Sequence, residues 1–229
     1  MSGQGANFPG QIIALGHGQI KEREETMKII EQSFKLTQAP GYNYALDTIE
    51  QAARTCYQSE PKGDKVGFIR GLIKSGHESV IEHVNVGVEI TTDRGVSHEL
   101  VRHRVGVAYS QSSTRYCNYS HDRFNQEIKV IKPSCIKEKT KEFFQWIHAV
   151  EAAERVYMGM VSDGVSPQTA RSVLPTCLAT EICTTMNFRS WRHFFRLRTA
   201  PGAHPDMRRL AVDMLQAFRD LWPVFFEDV

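Results

Sequence analysis

The sequence predicts an α+β fold, rich in helices and built around a small mixed sheet. Three observations lead there. Long stretches carry apolar residues at helical spacing. Two short stretches, 84–90 and 178–187, alternate or are β-branched in the manner of strands. Proline and glycine stand at the junctions between them. The 229 residues suffice for one domain, 1–229, that buries about 70–75% of its unfolded surface without metal or disulfide staples.

Taken in order, residues 1–10 bear Gly and Pro and read as a flexible leader. The run YNYALDTIEQAARTCY puts Ala45, Ile49, Ala52, Ala53 and Cys56 on one helical stripe. DKVGFIRGLIKSG is a second helix, ending at Gly76. VNVGVEI alternates Val84, Val86, Val88 and Ile90, a strand. SHELVRHRV returns to helical spacing, and IKVIKP is a short strand closed by Pro133. Residues 137–163 form the longest helix, on Phe143, Phe144, Ile147, Val150 and Ala153, and Gly164 stops it. Ser166 and Pro167 open a short helix that Pro175 ends. LATEICTTMN is Thr-rich and β-branched, hence a strand. RSWRHFFRLRT and the segment His204–Phe226 complete the chain as helices, with Pro205 at a helix start.

The charge balance narrows the partners. Lys and Arg number 28, Asp and Glu 26, for a net +2. A protein that coats a polyanion is strongly basic, so a nucleic-acid partner is not expected, and any anion must be held by local clusters. No run approaches the roughly 18 apolar residues of a membrane span. The N-terminus lacks the basic start and apolar core of a signal peptide. The five cysteines (Cys56, Cys117, Cys135, Cys177, Cys183) include no CxxC pair. Structural zinc is therefore not expected, and a reducing cytoplasm fits.

Four motifs concentrate chemistry. In ELVRHRVGVAYSQSSTRY (99–116), Arg102, His103 and Arg104 stand in a row. Arginine forks suit phosphates and stack on flat rings. A solvated helix face with ordinary ion pairs would look the same. Ser110, Ser112, Ser113 and Thr114 lie in a segment without apolar period, hence a loop, and with Arg115 they are parts of a phosphate cradle. A polar surface turn is the plainer reading, although a Tyr at each end suggests that the loop packs onto something. SGHESVIEH (75–83) places His77 and His83 six apart, not the four of a zinc-protease helix, so no metal is expected. Ser79 there can offer a hydroxyl. Finally, Arg171 in TARSVLP precedes a run holding Asn187, Arg189, Arg192, His193, Arg196, Arg198 and His204. An exposed RNA-binding helix is one reading. Against it, Trp191, Phe194, Phe195 and Leu197 form a stripe that would bury the helix, so some arginines would face a cleft and need anionic partners.

The order of these motifs, from about residue 40 to the end, resembles the flavin-dependent thymidylate synthases. The matching elements are GHES with EH, then RHR, then a serine eight or nine positions on with Arg two further, then AR with LP, then N.R, then LR. The resemblance implies that family's fold and its reaction: C5 methylation of dUMP to dTMP, with FAD, methylenetetrahydrofolate as carbon donor and NADPH as reductant. It implies FAD contacts at Ser79, Arg102, His103, Arg104, Asn187, Arg189 and His193. It implies a uridylate pocket of Ser113, Thr114, Arg115 and Arg171, with Arg102 also at the substrate. Arg198 matches the catalytic arginine beside the uracil ring, no cysteine nucleophile is used, and a homotetramer is expected. Two positions depart from the family pattern: Glu99 stands where Gln is common, and Ser112 where Glu usually precedes the motif serine. Both belong to the expected nucleotide site. They leave open an alternative, C5 methylation of UMP, or of both UMP and dUMP, as in relatives from nucleoside-antibiotic pathways.

Overall fold

The computed structural model describes residues 27–229; the flexible leader expected at 1–10 lies outside them. Strands β1 (Met27–Ile30) and β2 (Ser33–Gln38) precede helices α1 (Tyr42–Thr55) and α2 (Lys65–Lys74). A 3-10 turn, Glu78–His83, leads into β3 (Asn85–Asp93) and α3 (Arg94–Leu100). Then come β4 (Val107–Gln111), β5 (Ile128–Ile131), the long α4 (Lys141–Ser162) and the single turn α5 (Pro167–Ala170). β6 (Ala179–Asn187), α6 (Phe188–Arg198), α7 (Pro205–Leu221) and α8 (Pro223–Phe226) finish the chain.

The α+β class holds, and the strands separate into two sheets. One is antiparallel, in the order β2-β3-β6-β4; the other is the parallel pair β1-β5. Along β3, Val86, Val88 and Ile90 point to one face, where Met186 and Ile182 of β6 stand opposite Val86 and Ile90. Helices α1, α2, α6, α7 and α8 cover that face. Its core is aromatic: Phe188, Trp191, Phe194, Phe195, Phe218, Trp222, Phe225 and Phe226 are all buried. Each such side chain contributes roughly 1.5–3 kcal/mol by burial. The two indoles are satisfied, Trp191 Nε1 donating to Val86 O (3.1 Å) and Trp222 Nε1 to Pro40 O (2.8 Å). A second core, with Ile128, Val130, Val150, Tyr157 and Leu178, seats α4 on the small sheet.

Several expectations change. The RHR triplet is not helical, because α3 ends at Leu100. The Tyr109 hydroxyl reaches the carbonyls of both Leu100 (2.7 Å) and His103 (3.0 Å), and Gly106 (φ +65°) turns the chain into β4. Val105, which completed the helical spacing, is 88% exposed. Ser110 lies on strand β4, opposite Cys183, rather than in a loop. Leu197 is half exposed and outside the core stripe, as is Phe144 of α4. The long helix begins at Lys141, where Thr140 accepts a hydrogen bond from the Phe143 N–H, four residues later than expected. The C-terminal helix breaks at Trp222 before Pro223. Strands β1, β2 and β4 are additional to those expected; β2 does alternate, Phe34 and Leu36 lying between polar Ser33, Lys35 and Thr37.

Candidate active site

A cleft of about 710 Å³ opens between the Glu78–His83 turn, the stretch Arg102–Val107 and one side of α6, within the ~300–1,000 Å³ of ordinary ligand pockets. Helix periodicity builds the α6 wall. Asn187 Oδ1 caps the helix by accepting from Ser190 N–H (2.8 Å). With Trp191, Phe194 and Phe195 facing the core, the offset positions Arg189, His193 and Arg196 face the cleft. Arg102, His103, Arg104 and Arg198 complete the ring.

Five arginines line the cleft against two glutamates, Glu78 and Glu82. It is therefore far more cationic than a chain of net charge +2. The carboxylates are committed. Glu82 pairs with Arg189 (2.6 Å), and Glu78 pairs with Arg196 (3.0 Å) and Arg192 (3.1 Å). Burial opposes charge on Glu78, but the Arg196 and Arg192 guanidiniums hold its carboxyl below the usual range. Arg192 itself is 0% exposed beneath the cleft. It donates to Asp228 at 2.6 and 2.7 Å and to the Phe225 carbonyl, tying the C-terminus to α6. The anionic partners expected for a buried arginine are therefore carboxylates of the chain itself. The side chains of Arg102 and Arg104 are exposed and make no hydrogen bond or ion pair among the described residues. They are the cations left for a ligand.

At the far end, Arg198 donates from Nη1 to Glu99 Oε2 (2.6 Å), from Nη2 to Glu99 O (2.9 Å) and from Nε to His103 Nε2 (3.0 Å). Burial, then the charge of Arg198 and the adjacent His193, push His103 down to about 4. Its imidazole is neutral at pH 7, which the accepting Nε2 requires.

The expected uridylate residues divide. Arg102 and Arg198 line the cleft, with Glu99 behind Arg198. Ser112, Ser113, Thr114, Arg115 and Arg171 gather beyond the other end of β4. There Arg171 Nη1 donates to Thr114 Oγ1 (3.2 Å) and Arg115 Nε to Gln168 Oε1 (2.9 Å). Ser112 lies five residues past Val107, a cleft residue, about 17 Å further along the strand direction at ~3.4 Å per residue. The Ser112 hydroxyl is engaged by Thr180 Oγ1 (2.9 Å) and the Glu181 N–H (3.3 Å). The tyrosines that bracket the loop do not both pack: Tyr116 is largely exposed. Ser79 is exposed and does not line the cleft, although its neighbours Glu78 and Glu82 do. Glu78, Glu82 and Arg196 line the cleft but are not among the residues expected in the site. Glu82 and Glu78 meet Arg189 and Arg196 across 107 and 118 residues, a pairing that no local signal announces.

The profile of the thymidylate synthase complementing protein family matches residues 41–224. This chain belongs to the flavin-dependent thymidylate synthase family. Among its relatives, the flavin-dependent thymidylate synthase of Geobacter sulfurreducens is 36% identical over 190 residues, covering 77% of this chain and 78% of that protein. The flavin-dependent thymidylate synthase of Mycolicibacterium vanbaalenii is 33% identical over 201 residues, covering 79% and 78%. The fold is shared with a UMP/dUMP methylase, PolB, from Streptomyces cacaoi, solved with 5-Br UMP. The TM-score is 0.71 at 22% identity, over 89% of this chain and 96% of that one.

Proposed function

We propose that this flavin-dependent thymidylate synthase family member methylates C5 of dUMP, giving dTMP, with FAD as cofactor, methylenetetrahydrofolate as carbon donor and NADPH as reductant. The observation that carries the reading is the cationic cleft in which Arg102 and Arg104 have no partner among the described residues while the other lining arginines Arg189, Arg196 and Arg198 do. Its residues fit a dinucleotide: guanidiniums free among the described residues for a pyrophosphate, and Asn187 and His193 for polar edges. Gly106 (φ +65°) makes the turn on the cleft wall. Arg102, His103, Arg104, Asn187, Arg189 and His193 would hold the cofactor, with Ser79 at the margin.

When bound, the flavin supplies the redox chemistry, and the chain supplies orientation and charge. C5 of uracil becomes nucleophilic when negative charge in the ring is stabilised. Arg198 can do this because its guanidinium is fixed in a half-buried site, where a directed donor is worth more than in water. Neutral His103 accepts from Arg198 and does not add a competing positive charge. Ser113, Thr114, Arg115 and Arg171 would take the nucleotide phosphate, hydroxyls beside two cations.

The cradle and the cleft lie toward opposite ends of β4, and a homotetramer belongs to the same proposal. No helix among the described residues is long and apolar enough to cross a membrane, and a cytoplasmic location belongs to the same proposal.

The Ser112 hydroxyl is engaged by Thr180 and Glu181, and Glu99 commits one carboxylate oxygen to Arg198. dUMP stands first on membership of the thymidylate synthase family. The test offers dUMP and UMP together to the purified, flavin-loaded protein with methylenetetrahydrofolate and NADPH. Thymidylate from dUMP is expected to dominate. A colourless protein that forms neither product would overturn the reading.

A further inference from the structure

We infer that Glu99 is a positioning residue that acts through Arg198, holding the guanidinium as a two-proton fork toward the cleft. The inference rests on the proposed uridylate chemistry and deepens it.

A guanidinium has five N–H protons in one plane. Three of those on Arg198 are engaged, by Glu99 Oε2, the Glu99 carbonyl and His103 Nε2. One proton on each Nη remains, and Arg198 lines the cleft. The three acceptors come from one segment, the last turn of α3 and the turn after it, so they move together. That segment is itself fixed by the Tyr109 hydroxyl on the carbonyls of Leu100 and His103. Arg198 ends α6, whose buried Trp191, Phe194 and Phe195 fix its axis. Two rigid elements thus meet at one guanidinium, and the carboxylate is the charged part of the clamp. The carboxylate commits its Oε2 to Nη1 at 2.6 Å.

The clamp makes a stated demand on kinetics. Without the carboxylate, Arg198 gains rotamer freedom, and a misplacement of about 1 Å lowers a chemical step by on the order of 10²-fold. Substrate affinity does not fall, because an anionic nucleotide loses a nearby negative charge.

The test compares Glu99→Ala, Glu99→Gln and Glu99→Ala in an Arg198→Lys background. Flavin occupancy, KM and kcat for dUMP and UMP are measured, together with crystal structures of the wild type and of Glu99→Ala. Glu99→Ala should lower kcat about 10- to 100-fold, with flavin occupancy kept and KM not raised. In the crystal, Arg198 should leave its wild-type position. Glu99→Gln keeps an oxygen acceptor and should recover most of the loss. In the Arg198→Lys background, Glu99→Ala should change kcat by less than about twofold, since the two residues act as a unit. A full additional loss in that background, or a kcat loss with Arg198 unmoved, would overturn the inference. If the wild type methylates neither nucleotide, the functional reading fails, and the crystallographic arm alone still decides whether Glu99 holds Arg198.

Discussion

Acidification should loosen this protein at one identifiable imidazole. His103 is 8% exposed, and its Nε2 accepts the Arg198 Nε–H at 3.0 Å. Burial, Arg198 and His193 lower it from 6.5 to about 4. The folded protein therefore prefers the neutral ring. Its contribution is whole above pH 6.5 and is lost as pH falls toward 4, because the unfolded chain then binds the proton that the folded chain refuses. Between pH 7 and pH 5 the unfolded ring takes up about three-quarters of a proton, and the folded ring about a tenth of one. Integrating that difference gives about 2 kcal/mol, or roughly 4–8 °C in Tm for a chain of this size. The assay is urea unfolding at both pH values, for wild type and His103→Gln at equal flavin content. The glutamine carbonyl can accept from Arg198 and does not titrate. Wild type should lose about 2 kcal/mol more than the variant. Equal losses would refute the neutral, buried imidazole.

Three further outcomes follow from the cleft and its support. Arg104→Ala should weaken flavin binding by about 1.5–3 kcal/mol, the worth of a charge-assisted hydrogen bond, or roughly 10- to 150-fold. Flavin titration of the refolded apoprotein checks this, and unchanged affinity removes Arg104 from the site. Arg192→Ala should destabilise the fold by about 1.5–3 kcal/mol, because the charge-assisted hydrogen bonds of this buried guanidinium to Glu78 and Asp228 are lost, while Glu78 keeps Arg196 and Asp228 is half exposed. Thermal unfolding tests it, and a loss below about 1 kcal/mol, as for a surface pair, contradicts it. A cysteine-free variant that folds should keep turnover within about tenfold. No cysteine lines the cleft, and burial pushes the Cys177 thiol up to about 11. Abolished turnover on replacing Cys117 or Cys177 alone, with flavin still bound, would point to a thiol nucleophile.

Much of the fold is legible in the sequence, for physical reasons that differ between elements. The α1, α2 and α6 stripes and the β3 alternation follow from one-sided burial, which imposes its period on the chain. β4 is not legible, because Ser110 and Ala108 stand on an exposed sheet face opposite Cys183 and Thr185. Polar and small residues there blur the alternation. The RHR triplet reads as helix because Leu100, Val101 and Val105 keep helical spacing. What ends the helix is a tertiary contact, the Tyr109 hydroxyl, together with a glycine. In the site, the cations are recognisable by type and order. Their apportionment is not: which arginines Glu78 and Glu82 occupy, and which two remain open, depends on contacts more than a hundred residues apart. Nor can sequence show that Ser113, Arg115 and Arg171 assemble away from Arg198, since both groups flank the same short strand.

Whether this cleft directs uridylate methylation through Arg198 is decided by dTMP formation from dUMP. Flavin-loaded wild type is compared with Arg198→Lys, which keeps the charge and loses the planar fork, and NADPH reduction of the flavin is followed alongside. Wild type should make dTMP. Arg198→Lys should retain flavin and its reduction by NADPH but lose most methylation. Undiminished methylation by Arg198→Lys, or equal damage to flavin reduction and methylation, would contradict the role given to this arginine.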